Sequence, residues 1–130
     1  MTYRQLVELA NKAREKAYVP YSGFAVGAAL ICADGSTVCG CNIENASYTP
    51  TCCAERVALF KAVSEGKREF TAIAVSGGNV GEEPLDKCYP CGVCRQVLAE
   101  FCSPSLTVIF SDGSETTLGE LLPNSFSLDK

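Results

Sequence analysis

Two short cysteine-bearing segments constrain the fold of this chain more than any other feature. The first reads PTCCAER at residues 50–56, and the second reads PCGVC at residues 90–94. Each is followed by a pattern with helical spacing, which predicts that both sets of cysteines lie at helix N-termini. We therefore expect two helix N-termini to converge on one side of a sheet and to bring three sulfurs together.

The order of the other patterns predicts one domain over residues 1–130. Two apolar runs flank the turn 33–36, which predicts an initial hairpin. Strands that alternate with helices after such a hairpin give a layered α/β domain with a mixed sheet. The predicted helices cover residues 2–17, 53–65 and 91–101, the predicted strands cover 24–32, 37–43, 70–75 and 106–110, a polar loop covers 77–87, and a short strand and a short helix lie near 118–122.

The charge balance argues against nucleic acid as a partner. The formal net charge is -4 and the eleven Lys and Arg residues are scattered, whereas nucleic-acid affinity depends largely on clustered basic residues. The N-terminus lacks a signal-peptide pattern, and no segment has the roughly 18 apolar residues that indicate a membrane-spanning helix. We therefore expect a soluble protein of the cytoplasm.

Nine cysteines and no histidine narrow the chemistry of the two segments. In a reducing compartment, closely spaced cysteines more often bind metal or react than form disulfides. Cys91 and Cys94 alone leave three interpretations open: a redox pair, half of a zinc site, or two buried hydrophobic residues. Together with the cysteines of the first segment, Cys91 and Cys94 favour a zinc site. Three protein ligands plus a water molecule make a catalytic zinc site, whereas four protein ligands make a structural one.

The adjacent residues Cys52 and Cys53 leave the identity of the third ligand open. Neighbouring residues in a first helical turn point about 100° apart, so we expect one ligand from this pair, and spacing does not decide which. Glu55 follows both closely enough to bring its carboxylate near the fourth position of the metal. The remaining cysteines are expected to pack as small hydrophobic residues: Cys32, Cys39, Cys41, Cys88 and Cys102.

The two segments together resemble the zinc-dependent cytidine deaminases, in particular the small type that acts on free nucleosides. The resemblance covers nearly the whole chain and includes Cys53–Arg56, Pro90–Leu98, Phe24–Leu30, Asn42–Tyr48, and Glu120–Pro123 with Phe126. It implies a three-layer α/β/α domain with a central mixed five-stranded sheet. It also implies hydrolytic deamination of cytidine and deoxycytidine to uridine and deoxyuridine, with release of ammonia, in pyrimidine salvage.

The resemblance also assigns the metal and the proton-transfer group. It implies one zinc ion per subunit, held by Cys53, Cys91 and Cys94. Cys52 is then not a ligand, and Glu55 carries protons between a zinc-bound hydroxide, the cytosine ring and the departing amino group. Arg56 is implied to donate hydrogen bonds to the cysteine thiolates, which offsets the negative charge of three sulfurs.

A nucleoside site is implied by the same resemblance. Asn42 and Glu44 would hydrogen-bond the ribose hydroxyls, and Phe24 would line the base pocket. Ala54 would present backbone groups to the base, and Phe126 would pack on the base bound by a neighbouring subunit. The other residues assigned to substrate binding, two of them near subunit contacts, are Asn45, Ala46 and Tyr48. The implied assembly is a homotetramer with active sites shared between subunits.

Three alternatives differ in what they predict. A deaminase of the same fold that acts on a cytosine-containing antibiotic, as blasticidin deaminases do, would have less use for the pair Asn42 and Glu44. Editing of tRNA adenosine or polynucleotide cytidine is opposed by the acidic charge and the missing histidine. A structural zinc module that binds a partner protein would need four ligands and would give Glu55 no role.

Overall fold

The computed structural model describes residues 1–128. Within this range the chain forms four helices and five strands. No helix in the range has both the length and the apolar character that crossing a membrane requires. In chain order the elements are α1 (Tyr3–Arg14), β1 (Phe24–Cys32), β2 (Thr37–Cys41), α2 (Ala54–Ser64), β3 (Phe70–Asn79), α3 (Gly92–Phe101), β4 (Thr107–Phe110), β5 (Glu115–Thr117) and α4 (Leu118–Leu121).

The five strands form one mixed sheet in the order β2-β1-β3-β4-β5. β1 is antiparallel to β2 and β3, β4 is parallel to β3, and β5 is antiparallel to β4. α1 packs on one face of the sheet, and α2 and α3 pack on the other. The three-layer α/β/α fold with a mixed five-stranded sheet is therefore confirmed.

Small residues let α1 lie very close to the sheet. Ala29, Ala72 and Ala74 form the sheet side of this contact and are fully buried. A Cβ atom on Gly27 would lie 2.0 Å from the carbonyl oxygen of Ala10 in α1. Only glycine at this position lets the helix backbone reach β1.

The opposite face holds the larger part of the core. Each large side chain buried there contributes roughly 1.5–3 kcal/mol to stability. A Cβ atom on Gly40 of β2 would lie 2.6 Å from the amide nitrogen of Ala58 and 2.7 Å from the carbonyl oxygen of Ala54. α2 therefore rests directly on the backbone of β2. The largest fully buried side chains on this face are Leu30, Leu59, Ile73, Val75, Leu98, Leu106, Val108 and Phe110.

The bounds of α1 differ from the prediction at one end only. Thr2 caps the helix as expected, but α1 ends at Arg14 and not at Ala17. The amide of Tyr18 donates to the carbonyl of Asn42 at 3.0 Å, so the chain leaves the helix to pair with the segment that follows β2.

β3 extends beyond the predicted end at Val75 and reaches Asn79. Ser76, Gly77 and Gly78 have the composition of a loop, yet they pair with β1, so the predicted loop 77–87 is wrong in its first residues. Smaller corrections are that β2 ends at Cys41, α2 begins at Ala54, α3 begins at Gly92 with Pro90 outside it, β4 begins at Thr107, and the last strand is Glu115–Thr117.

Candidate active site

The N-termini of α2 and α3 meet on the same side of the sheet. Cys53 is the N-cap of α2 and Cys91 is the N-cap of α3, and both have extended backbone angles. Their sulfurs lie 3.8 Å apart. Cys94, in the first turn of α3, is fully buried, and its sulfur completes a group in which all three Sγ atoms lie within 4.8 Å of one another.

The group fits a zinc ion. Tetrahedral zinc with Zn–S bonds near 2.3 Å places its sulfurs about 3.8 Å apart, which is the separation of the Cys53 and Cys91 sulfurs. Among residues 1–128, Cys52 is not part of any such group. Its backbone is paired with Ile43 on both sides, with N···O distances of 2.9 and 3.0 Å, which holds it in the segment before α2.

Arg56 contacts the sulfur group from the first turn of α2. Its Nη2 atom donates to Sγ of Cys53 at 3.3 Å, which is the hydrogen bond that the sequence led us to expect. The hydrogen bond with Cys94 and the contact with Arg56 hold the pKa of Cys53 well below its ordinary value. Cys53 is therefore poised to be a thiolate, the form in which cysteine binds metal.

Glu55 is a buried acid beside the sulfurs. It is only 4% exposed, and burial raises its pKa to about 7. Its Oε1 atom has no hydrogen-bond partner among residues 1–128. Buried polar atoms are nearly always paired, so a carboxylate oxygen left unpaired by the described residues is available to a polar molecule beside the sulfurs.

Asn42 holds the first residues of β1. Its Oδ1 atom accepts from the amide of Val26 at 2.9 Å, and its Nδ2 atom donates to the carbonyl of Phe24 at 2.9 Å. The last residue of β2, Cys41, pairs with Gly27, so the Asn42 side chain continues the ladder where β2 has ended.

Glu44 is bonded to a loop that sequence reasoning did not connect with it. Its Oε1 atom accepts from the amides of Tyr21 and Ser22 at 3.0 and 3.1 Å, and its Oε2 atom accepts from the hydroxyl of Ser22. The Ser22 hydroxyl is the main reason that the pKa of Glu44 is lowered. The run 18–23 has the composition of a helix-breaking segment, but no local pattern connects it with Glu44.

A cavity of about 400 Å³ lies beside Glu44. Tyr48 borders it with a left-handed backbone angle, φ 61°, and its ring meets the edge of the Tyr21 ring at a centroid distance of 6.3 Å. Asn45 stabilises the same turn because its Oδ1 atom accepts from the amide of Ser47 at 3.0 Å. The residues that line the cavity are Tyr21, Ser22, Glu44, Asn45, Tyr48 and Thr51.

The other residues assigned from the sequence are not all brought together within one chain. Ala54 is fully buried at the start of α2, and Phe24 is half-buried at the start of β1. Ala46 is exposed, Tyr48 is 72% exposed and Phe126 is 67% exposed. The backbone of Phe126 is fixed by a hydrogen bond from Gln96 at 3.1 Å, but its ring extends into solvent.

The geometry agrees with the comparison with known proteins. Residues 1–110 match the family model for the cytidine and deoxycytidylate deaminase zinc-binding region. The chain belongs to the cytidine deaminase family. This membership confirms the resemblance found in the sequence, and together with the three-sulfur group it identifies zinc as the cofactor.

Individual relatives are similar over almost their full length. A cytidine deaminase of Sporosarcina psychrophila is 52% identical over 98% of this chain and 93% of its own. A crystal structure of cytidine deaminase from Burkholderia pseudomallei is 50% identical, with a TM-score of 0.87, and covers 97% of this chain and 100% of its own.

The antibiotic-deaminase alternative is represented by a more distant protein. A blasticidin-S deaminase of Bacillus cereus is 30% identical over 95% of this chain and 94% of its own. The larger identity to cytidine deaminases therefore favours the free-nucleoside branch of this family.

Proposed function

We propose that this chain catalyses the hydrolytic deamination of cytidine and deoxycytidine to uridine and deoxyuridine, with release of ammonia. One observation carries the proposal: the buried Oε1 atom of Glu55, which has no hydrogen-bond partner in the described residues 1–128, lies on the same helix start as Cys53 of the three-sulfur group. The cytidine deaminases described above support the same reaction through their identity to this chain.

Glu55 is the proton carrier of the proposed reaction. Bound zinc supplies the Lewis acidity that activates water for attack at C4 of the cytosine ring. Glu55 takes a proton from the attacking water and places it on N3 of the ring. It then takes the second proton from the hydroxyl group now on C4 and delivers it to the departing amino group, which leaves as ammonia. A pKa of about 7 lets the carboxyl group accept and release protons near neutral pH. General acid–base catalysis is most effective when the pKa of the group lies close to the ambient pH.

Asn42 and Glu44 retain enough hydrogen-bonding capacity to bind a sugar. A carboxylate oxygen has two lone pairs and an amide group has two hydrogens and two lone pairs. After its contacts with Phe24 and Val26, Asn42 keeps one hydrogen and one lone pair. After its contacts with the Tyr21–Ser22 loop, Glu44 keeps one lone pair on Oε2. A ribose hydroxyl that accepts from Asn42 and donates to Glu44 would use the free hydrogen of Asn42 and the free lone pair of Glu44.

The base is proposed to lie between Phe24, the backbone of Ala54 and an aromatic ring from a neighbouring subunit. Phe126 is suited to that last role because its exposed ring is held on an anchored backbone. Ala46 and Tyr48 are exposed next to the cavity at Glu44. We therefore propose a homotetramer in which these exposed residues complete the site of another subunit.

The setting proposed for the enzyme is pyrimidine salvage in the cytoplasm. All nine cysteines are free thiols, and three of them converge as metal ligands, which a reducing compartment preserves. The acidic net charge of -4 is consistent with a small nucleoside substrate and gives no support to nucleic acid.

The test combines a zinc assay with cytidine turnover. The purified protein is expected to carry one zinc per chain and to convert the absorption spectrum of cytidine into that of uridine, and Glu55→Gln is expected to keep the zinc and lose the turnover. Glu65→Gln is the matched control because Glu65 is exposed at the other end of the same helix. Full activity of Glu55→Gln, or a zinc-loaded wild-type protein that leaves cytidine unchanged, would refute the proposal. Faster turnover of blasticidin than of cytidine would favour the antibiotic-deaminase alternative.

A further inference from the structure

Arg14 is the last residue of α1, and its guanidinium donates to three backbone carbonyls. Its Nε atom donates to Ala25 at 2.9 Å, and its Nη2 atom donates to Asn79 at 2.8 Å and to Glu82 at 3.1 Å. Among residues 1–128, Arg14 forms no ion pair. Its contacts therefore serve to hold backbone segments in place.

The first two of these carbonyls belong to the end of the sheet that carries Phe24. Phe24 pairs with Asn79 at the limit of the β1–β3 ladder, in a stretch that β2 does not reach. One edge of this stretch is held by the side chain of Asn42. Arg14 fixes the β3 side from above the sheet, because α1 lies against Gly27.

The third carbonyl belongs to the segment that leads to the cysteines of α3. After β3 the chain folds back over Gly78, where a Cβ atom would lie 3.1 Å from both Arg14 Nη2 and the carbonyl oxygen of Glu83. The far end of the segment is held by Lys87, which pairs with Asp112 at 3.0 Å. Arg14 is therefore the near anchor of residues 79–87, which precede the N-cap Cys91.

We propose that Arg14 is a positioning residue for the nucleoside site: by joining α1 to the start of β1 and to residues 79–87, it sets where the Phe24 ring lies relative to the zinc ligands. The inference rests on the proposed function. Arginine suits this role because its planar fork presents several donors in fixed directions, whereas lysine presents one compact ammonium group.

The experiment compares Arg14→Met with Arg14→Lys and with a control on the same helix. Methionine keeps the unbranched stem and removes the donors, while lysine keeps one charged donor. Arg4→Met is the matched control because Arg4 is an exposed residue of α1 whose side chain forms an ion pair with Glu8 at 3.9 Å. The measurements are KM and kcat for cytidine, zinc per chain, and the rate of tryptic cleavage after Lys87.

Arg14→Met is expected to raise KM about tenfold, with kcat within about threefold and zinc unchanged, because a displaced Phe24 ring weakens its aromatic contact with the base and loss of uniform binding raises KM without changing kcat. The KM of Arg14→Lys is expected to lie between that of Arg14→Met and that of the wild type, and the KM of Arg4→Met is expected to equal that of the wild type. A wild-type KM in Arg14→Met overturns the inference, as does loss of zinc from this variant, because the effect would then lie in the metal site and not in the position of Phe24. If Arg14→Met does not fold, Arg14→Lys becomes the test, and a wild-type KM in Arg14→Lys overturns the inference.

Failure of this inference is distinguishable from failure of the proposed function. If the wild type turns over cytidine and Arg14→Met has the same KM, only the role of Arg14 is refuted. If the wild type does not turn over cytidine, the proposed function is refuted, and the positioning role falls with it even if the loop is anchored. In that case, faster cleavage after Lys87 in Arg14→Met than in Arg4→Met would still report the anchoring contact alone.

Discussion

The metal region and the proposed nucleoside region of this molecule are built in different ways. The metal region consists of Cys53, Glu55, Arg56, Cys91 and Cys94, and its groups converge within one chain at two helix starts. The nucleoside region consists of Phe24, Asn42, Glu44, Tyr48 and Phe126, and its polar groups are bonded to neighbouring backbone while Tyr48 and Phe126 remain exposed.

The difference indicates that the two regions have different requirements. In the metal region the three sulfurs belong to two N-cap residues and one first-turn residue of helices whose buried faces already fix them, so the sulfur group is formed within one chain. The nucleoside region leaves aromatic surface uncovered, and exposed aromatic rings are typical of subunit contacts. We therefore expect changes in the metal region to affect every aspect of activity and changes in the nucleoside region to affect mainly KM.

The largest effect is expected from Cys94→Ser. The fully buried sulfur of Cys94 is replaced by a poor zinc ligand, so zinc is lost and turnover falls by about 10³-fold or more because water is no longer activated. Zinc content and cytidine turnover are measured together. Cys102→Ser is the control because Cys102 is another largely buried thiol, whose pKa burial raises to about 12, outside the sulfur group. A Cys94→Ser protein with stoichiometric zinc and full turnover would contradict the expectation that changes in the metal region affect every aspect of activity.

Arg56→Gln is expected to have the next largest effect. Loss of the contact with Cys53 leaves the charge of three thiolates uncompensated, and loss of such outer contacts to metal ligands typically costs 10–100-fold in metal affinity or activity. Competition with a chelator measures the zinc affinity, and initial rates measure activity. Arg4→Gln serves as the control on an exposed arginine. Unchanged zinc affinity together with an unchanged rate would contradict the charge-compensation role.

Glu44→Gln is expected to raise KM about tenfold, in line with the loss of hydrogen bonds to a charged group, while zinc content stays the same. The amide cannot accept from Tyr21 and Ser22 in the way that both carboxylate oxygens do, and it offers a sugar hydroxyl a weaker acceptor. Deoxycytidine and cytidine are compared as substrates. Loss of zinc in this variant would mean that the two regions are not separate.

The smallest effect is expected from Phe126→Ala, with a rise in KM of about fivefold, the value of one aromatic contact. Since the ring is 67% exposed in the single chain, the effect is expected only under conditions in which subunits associate. Sedimentation and KM are measured over the same range of protein concentration. An identical KM for variant and wild type in the associated state would argue against a shared site.

Local pattern predicted where the sulfurs of the metal region lie, but not every ligand. Cys53 and Cys91 open helices whose N-termini are defined by nearby residues, and the spacing of Cys91 and Cys94 places both sulfurs on one helix start. The choice of Cys53 over Cys52 was not contained in the spacing and came from the family resemblance. In the structure, the pairing of Cys52 with Ile43 is the physical reason that its sulfur does not join the group.

Long-range contacts account for what the sequence did not predict. The contacts of Glu44 with Ser22, and of Arg14 with Asn79 and Glu82, join residues far apart in the chain, and no local pattern indicates them. The end of β3 was missed for a related reason: Gly77 and Gly78 have low strand propensity, and their strand conformation comes from pairing with β1.

The absence of a side chain at Gly40 determines how close the start of α2 lies to the sheet. α2 is seated there through Ala54 and Ala58, and Ala54 stands between Cys53 and Glu55. A methyl group added at residue 40 would clash with the backbone of α2 and push the start of this helix away from the sheet. The protein would still fold, but the Glu55 carboxylate would be misplaced. The substituted residue 40 itself would contact neither the metal nor the nucleoside.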